Sequence, residues 1–158
     1  MRPVCRHWFR IAVAASVALA CSDPTGPGLS DGPHLVLQLV GNIHEVDLPG
    51  ASATITAAHV DGSTLHLTVR YGGGCGIHRF AMVAGRALGE SFPPYAQLRL
   101  GHDDGGLDPC SALVWRELTV DLRPIIPLVQ QSGASSLRFV IVEPDQQASQ
   151  VGELLLSF

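Results

Sequence analysis

The chain has 158 residues, 46% of them hydrophobic and 15% charged. That is enough for one domain with a real core, and too apolar for a disordered tail. Ten arginines and no lysine face fourteen acids, for a net charge of −4. This excludes a nucleic-acid binder driven by charge; without lysine, a P-loop, a Schiff base and Ser-Lys catalysis are excluded too.

The N-terminus has the grammar of an export signal. Arg2, Arg6 and Arg10 make a positive start, and Ile11 to Ala20 is an apolar run. The run is too short to span a bilayer, which takes roughly 20 residues. Residues 1–20 are therefore expected to be a signal peptide. Ala18-Leu19-Ala20-Cys21 resembles the lipobox of bacterial lipoproteins, with the Leu one place later than usual. The resemblance implies that Cys21 becomes the lipidated first residue. It also implies an exported protein held at the periplasmic face or in the outer membrane, with the membrane as its partner. Residues 21–33, rich in Asp, Pro, Gly and Ser, are expected to be a flexible tether. Cleavage would leave seven arginines against all fourteen acids, a net charge of −7.

Residues 34–158 read as a single β domain. Leu35, Leu37 and Leu39 alternate, as do Leu65, Leu67, Val69 and Tyr71. The same period of two runs through His78-Phe80-Met82, Leu98-Leu100-His102, Leu118-Val120-Leu122 and Leu137-Phe139-Ile141. Residues 52–59 form a weaker, edge-strand candidate, and Val151 to Phe158 is a last apolar run. Turn residues separate the runs. The expected fold is an all-β antiparallel sandwich of about 7–8 strands, Ig-like or a related Greek key. Pro124 and Pro127 exclude a central strand at 124–131, which is expected to be a short helical or extended segment. Trp115 is expected in the core and Arg116 at the surface.

Two stretches carry the candidate chemistry: Tyr71-Gly-Gly-Gly-Cys75-Gly-Ile-His78-Arg-Phe80 and Leu98-Arg-Leu100-Gly-His102-Asp-Asp-Gly-Gly-Leu-Asp108-Pro-Cys110. If strands 64–71, 78–84 and 95–102 form an antiparallel meander, His78 and His102 lie at one end of the sheet. Parity turns both toward the core, with Cys75 and Cys110 in the adjoining loops.

Three readings follow. In the first, Cys75 and Cys110 form a disulfide closing a 36-residue loop, worth about 4 kcal/mol in the chain-entropy model. In the second, Cys75, His78, His102 and Cys110 bind zinc or copper(I), the Cys2His2 set being one that tetrahedral zinc prefers. In the third, a disulfide stands beside an exposed site made by His78, His102 and Asp108, for metal or acid–base chemistry.

Asp103-Asp104-Gly-Gly-Leu-Asp108 lacks the alternation of a calcium loop and reads as a solvated turn. His34, His44, His59 and His66 read as surface residues. No nucleophile–base–orienter set is recognisable, so a binding or envelope-interaction module is expected rather than an enzyme. No cofactor is expected unless the metal reading holds.

The pattern Gly-Gly-Cys75-x-x-His78-x-Phe80, Leu-x-Leu-x-His102, Asp108-x-Cys110 and Leu118-x-x-Asp121-Leu-x-Pro124 resembles a group of uncharacterised bacterial lipoproteins. It spans residues 64–125. The resemblance makes a planned Cys/His cluster more credible and implies no activity, ligand or protein partner.

Overall fold

The computed structural model describes residues 27–106, 108–144 and 148–157, with only the backbone of 148–156 considered. The expected signal peptide and Cys21 lie outside the described residues.

Among the described residues, alternating apolar residues give nine strands in chain order: β1 (His34–Val36), β2 (Gln38–Val40), β3 (Ala53–Asp61), β4 (Thr64–Gly73), β5 (Arg79–Gly85), β6 (Tyr95–Asp103), β7 (Ala112–Asp121), β8 (Ser136–Val142) and β9 (Ala148–Ser157). A 3-10 turn at Arg123–Ile125 and the helix α1 (Ile126–Gln131) occupy the proline-rich segment. A proline sits in the first turn of each, where its missing N–H costs nothing.

The strands form two sheets, one in the order β1-β7-β4-β3 and the other β2-β5-β6-β8-β9. The inward-facing residues of both meet in one core. Leu65, Leu67 and Val69 of β4 and Leu118 and Val120 of β7 pack with Phe80, Met82, Leu98, Leu100, Leu137, Phe139 and Ile141 from the other sheet.

The expected antiparallel arrangement is corrected. The pairs β1/β7, β2/β5 and β6/β8 are parallel, so both sheets are mixed. One cause lies in the first apolar run. Leu35 and Val36 pair with β7 in one sheet, while Gln38 to Val40 pair with β5 in the other. The chain changes sheets at the buried Leu37. In β6/β8 the chain leaves through β7 and α1 and returns, as a parallel pair requires of its connection.

The meander is corrected as well. β5 and β6 are antiparallel neighbours, but β4 belongs to the opposite sheet. The glycine-rich link after β4 therefore crosses between sheets.

The stretch expected to end the tether is bonded to the sheets. Ser30 exchanges backbone hydrogen bonds with Phe80 at 2.9 and 2.8 Å, and Pro33 accepts one from Thr119. Gly28 exchanges two with the Gln38 side chain at 2.9 Å each.

Candidate functional site

The register Phe80↔His102 fixes the rim where β5 begins and β6 ends. His78 precedes β5 on the face of Phe80 and Met82, and His102 lies on the face of Leu98 and Leu100. Both imidazoles are buried. Tyr71 of β4 closes over them from the other sheet, with ring centroids 4.5 Å from His78 and 5.0 Å from His102. The Phe80 ring stacks on His102 at 4.6 Å.

Cys75 and Cys110 are joined in a disulfide, with their Cα atoms 5.7 Å apart. Asp108 grips both ends of this bridge. Its Oδ2 accepts N–H bonds from Gly74, Cys75 and Gly76 at 2.7, 2.9 and 2.8 Å. Its Oδ1 accepts from Cys110 at 2.8 Å. Successive amides converging on one oxygen form an anion-binding nest, here filled by the chain's own carboxylate.

The nest depends on glycine. Gly73 and Gly74 have φ of 126° and 110°, a region that side chains disfavour. A Cβ on Gly73 would also lie 2.6 Å from Asp108 Oδ2 and 2.8 Å from His78 Nε2.

From Asp108 the hydrogen bonds run inward. Its Oδ2 lies 2.9 Å from His78 Nε2. His78 Nδ1 lies 2.9 Å from His102 Nε2. His102 Nδ1 faces the carbonyl oxygens of Ala51 and Ser52 at 3.1 and 3.2 Å. The side chains of His78 and Asp108 are 3% and 4% exposed.

The partners dictate the protons. Carbonyl oxygens only accept, so His102 Nδ1 carries hydrogen. The amides of Gly76 and Cys110, then His78 and Gly74, hold Asp108 far below the usual carboxylate range. It is therefore ionised and also only accepts, so His78 Nε2 carries hydrogen. With a hydrogen between the rings the pair would carry three N–H groups, and the Asp108 carboxylate stands where it would balance the resulting charge. Burial is the chief influence lowering the His102 pKa from 6.5, with the neighbouring His78 acting in the same direction. A second charge on the pair is thus opposed.

Every ring nitrogen of this pair is engaged. In this state neither histidine offers a free lone pair to a metal or a substrate. The two sulfurs are bonded to each other, so the Cys75, His78, His102 and Cys110 set is gathered at one rim with its donor atoms engaged within the chain. The third reading supposed an exposed His78, His102 and Asp108; the structure brings these residues together below the surface.

Arg116 covers the rim, and this corrects an expectation. Its guanidinium lies 5.5 Å from the centre of the Phe80 ring. It donates to the carbonyl oxygens of His78, at 3.1 Å, and of Asp31. Trp115 instead points outward, 58% exposed. Parity is the reason: Arg116 shares the inward face of Leu118 and Val120. Counting back two residues from Leu118 would have found this.

The acidic loop is a pair of local turns. Asp103 and Asp104 accept the N–H of Gly105 and Gly106, each at 3.0 Å. Among the described residues, no helix is long and apolar enough to cross a membrane.

No family model matches the sequence, and no curated protein does. Solved structures match the fold. A protein of unknown function, DUF1344, from Bacteroides vulgatus superposes with a TM-score of 0.53 at 12% identity, over 80% of this chain and 57% of that one. A candidate lipoprotein from Bacteroides fragilis gives 0.50 at 12% identity, over 80% of this chain and 70% of its own. A candidate toxin-related protein from Parabacteroides distasonis gives 0.50 at 15% identity, over 78% of this chain and 59% of its own. The chain thus spans under two thirds of the length of the first of these and of the third. At these identities the likeness concerns the fold alone.

Proposed function

We propose that this chain is an exported, lipid-anchored envelope protein. Its β domain, read as a sandwich of two mixed sheets, serves as a binding or envelope-interaction module rather than a catalyst. The observation that carries the reading is the Cys75–Cys110 bridge clamped by Asp108. A disulfide held by a dedicated carboxylate suits a compartment where disulfides persist. The lipobox-like sequence at Cys21 supports the same address, as does the fold's likeness to the candidate lipoprotein from Bacteroides fragilis. The rim chemistry favours structure over turnover. Its acid and both imidazoles are bonded to one another, with the acid and imidazole side chains largely shielded from solvent.

The test is processing of the full chain in a diderm bacterial host. The account expects a membrane-bound form that takes up labelled fatty acid, and a Cys21→Ser form that does neither. Unchanged processing and membrane association in Cys21→Ser would overturn the lipid anchor.

The second reading, a zinc protein using Cys75, His78, His102 and Cys110 with Asp108 nearby, is favoured by one observation: all five residues meet at one rim. It requires reduction of the bridge. One zinc bound per reduced chain, lost in His78→Ala, would favour it over the disulfide reading.

A further inference from the structure

A facing pair of imidazoles with free nitrogens lies elsewhere, on the outer face of the sheet that carries β3 and β4. Leu65 and Leu67 point into the core, so His66 between them points out. The antiparallel register sets His59 of β3 directly opposite His66. The two rings stack face to face, with centroids 4.6 Å apart and planes 4° from parallel. Among the described residues, neither ring has a hydrogen-bond partner. His59 is exposed and His66 half-buried. This is the reverse of the rim pair, whose nitrogens are all engaged.

We propose that His59 and His66 form a surface site for a divalent transition-metal cation of the class that prefers imidazole, such as copper(II), nickel or zinc. A hydrogen-bonded ladder fixes the two Cα atoms on either side of the pair: Ala58↔Leu67 and Val60↔Leu65 flank it. Turning one nitrogen of each ring toward a shared ion above the sheet takes side-chain rotation, which is freest at the exposed His59. A site on rigid strands loses less on binding than one on loops. Water fills the remaining positions. The nearest carboxylate by register is Asp61, two residues along β3 on the same face. The chain's net charge of −4 favours cations over anions near it.

Imidazole ligates in its neutral form, so affinity falls as the solution is acidified. The site is independent of the Cys75–Cys110 bridge and of the lipid anchor.

Copper(II) titrated into the oxidised, untagged protein tests this, read by calorimetry and by electron paramagnetic resonance. The expected result is one ion per chain with a two-nitrogen equatorial signature. His59→Gln and His66→Gln should each weaken binding by roughly tenfold or more, as loss of one of two ligands implies. Both positions lie on the outer face, so the metal-free circular dichroism spectrum should match the parent's. Absence of binding, or binding that neither substitution weakens, overturns the proposal.

Discussion

His78 Nδ1 and His102 Nε2 lie 2.9 Å apart inside the rim of the β5/β6 pair, at hydrogen-bond distance. With Asp108 at one end and the Ala51 and Ser52 carbonyls at the other, the row forms a closed, neutral chain. It ties together the glycine-rich link after β4, the start of β5, the end of β6 and the loop before β3. The disulfide adds a covalent link between the same link and the loop after β6.

Removing either end of the proton chain should cost more than its exposed surface suggests. His102→Phe keeps an aromatic ring against Phe80 but leaves His78 Nδ1 without an acceptor. Each buried group left unpaired costs about 1–3 kcal/mol. Denaturant unfolding should show a loss in that range. His44→Phe, at an exposed position, should change little.

Reducing the bridge should destabilise the domain without abolishing its fold. The Cys75→Ser/Cys110→Ser double variant loses a cross-link of sequence separation 35, for which the chain-entropy model gives about 4 kcal/mol. The amides of Gly74, Cys75, Gly76 and Cys110 still converge on Asp108, so the loops retain a non-covalent tie. The measurement is the urea midpoint of the double variant against the parent, both without reductant.

Gly73 and Gly72 make a matched pair. Alanine at 73 meets both a positive φ and a clash with Asp108 and His78, whereas a Cβ on Gly72 finds nothing within 4 Å. Gly73→Ala should therefore lower the melting temperature strongly and disturb the His78 ring signals. Gly72→Ala should stay within about 1 kcal/mol of the parent.

Much of this rim could be read from alternation alone. Period two placed His78 and His102 on inward faces, and the β5/β6 pairing then brought their rings together. Alternation sets a side chain's face but not its sheet. Gly72, Gly73 and Gly74, at the end of β4, suit a hairpin as well as a crossing between sheets, so the spacing points to β4 beside β5 when it lies across the core. Asp108 was a visible candidate, but its nest depends on backbone φ at Gly73 and Gly74, which no spacing encodes. The His59–His66 pair was hidden for a similar reason. Each histidine looks isolated in the sequence, and only the register across β3 and β4 puts them opposite each other.

Acidification should weaken the fold in two stages. The His102 pKa is lowered below its ordinary 6.5 in the folded chain. The unfolded chain thus takes up that proton first, and stability falls as pH drops below about 6.5. Asp108 is likewise held below its ordinary 3.8. Its contribution is complete above that value and is lost as pH falls further below it. Melting temperatures from pH 8 to pH 3 should show both declines, and His102→Phe should remove the first.

The central claim is that the rim holds one shared proton in a closed chain from Asp108 to His102. Long-range nitrogen–proton NMR of the histidine rings in the oxidised protein at neutral pH tests it most directly. The account predicts three imidazole N–H protons protected from exchange: His102 Nδ1–H, His78 Nε2–H and one shared between the rings. A His78 ring with a single N–H beside a neutral His102, or rapid exchange at these nitrogens, would contradict it.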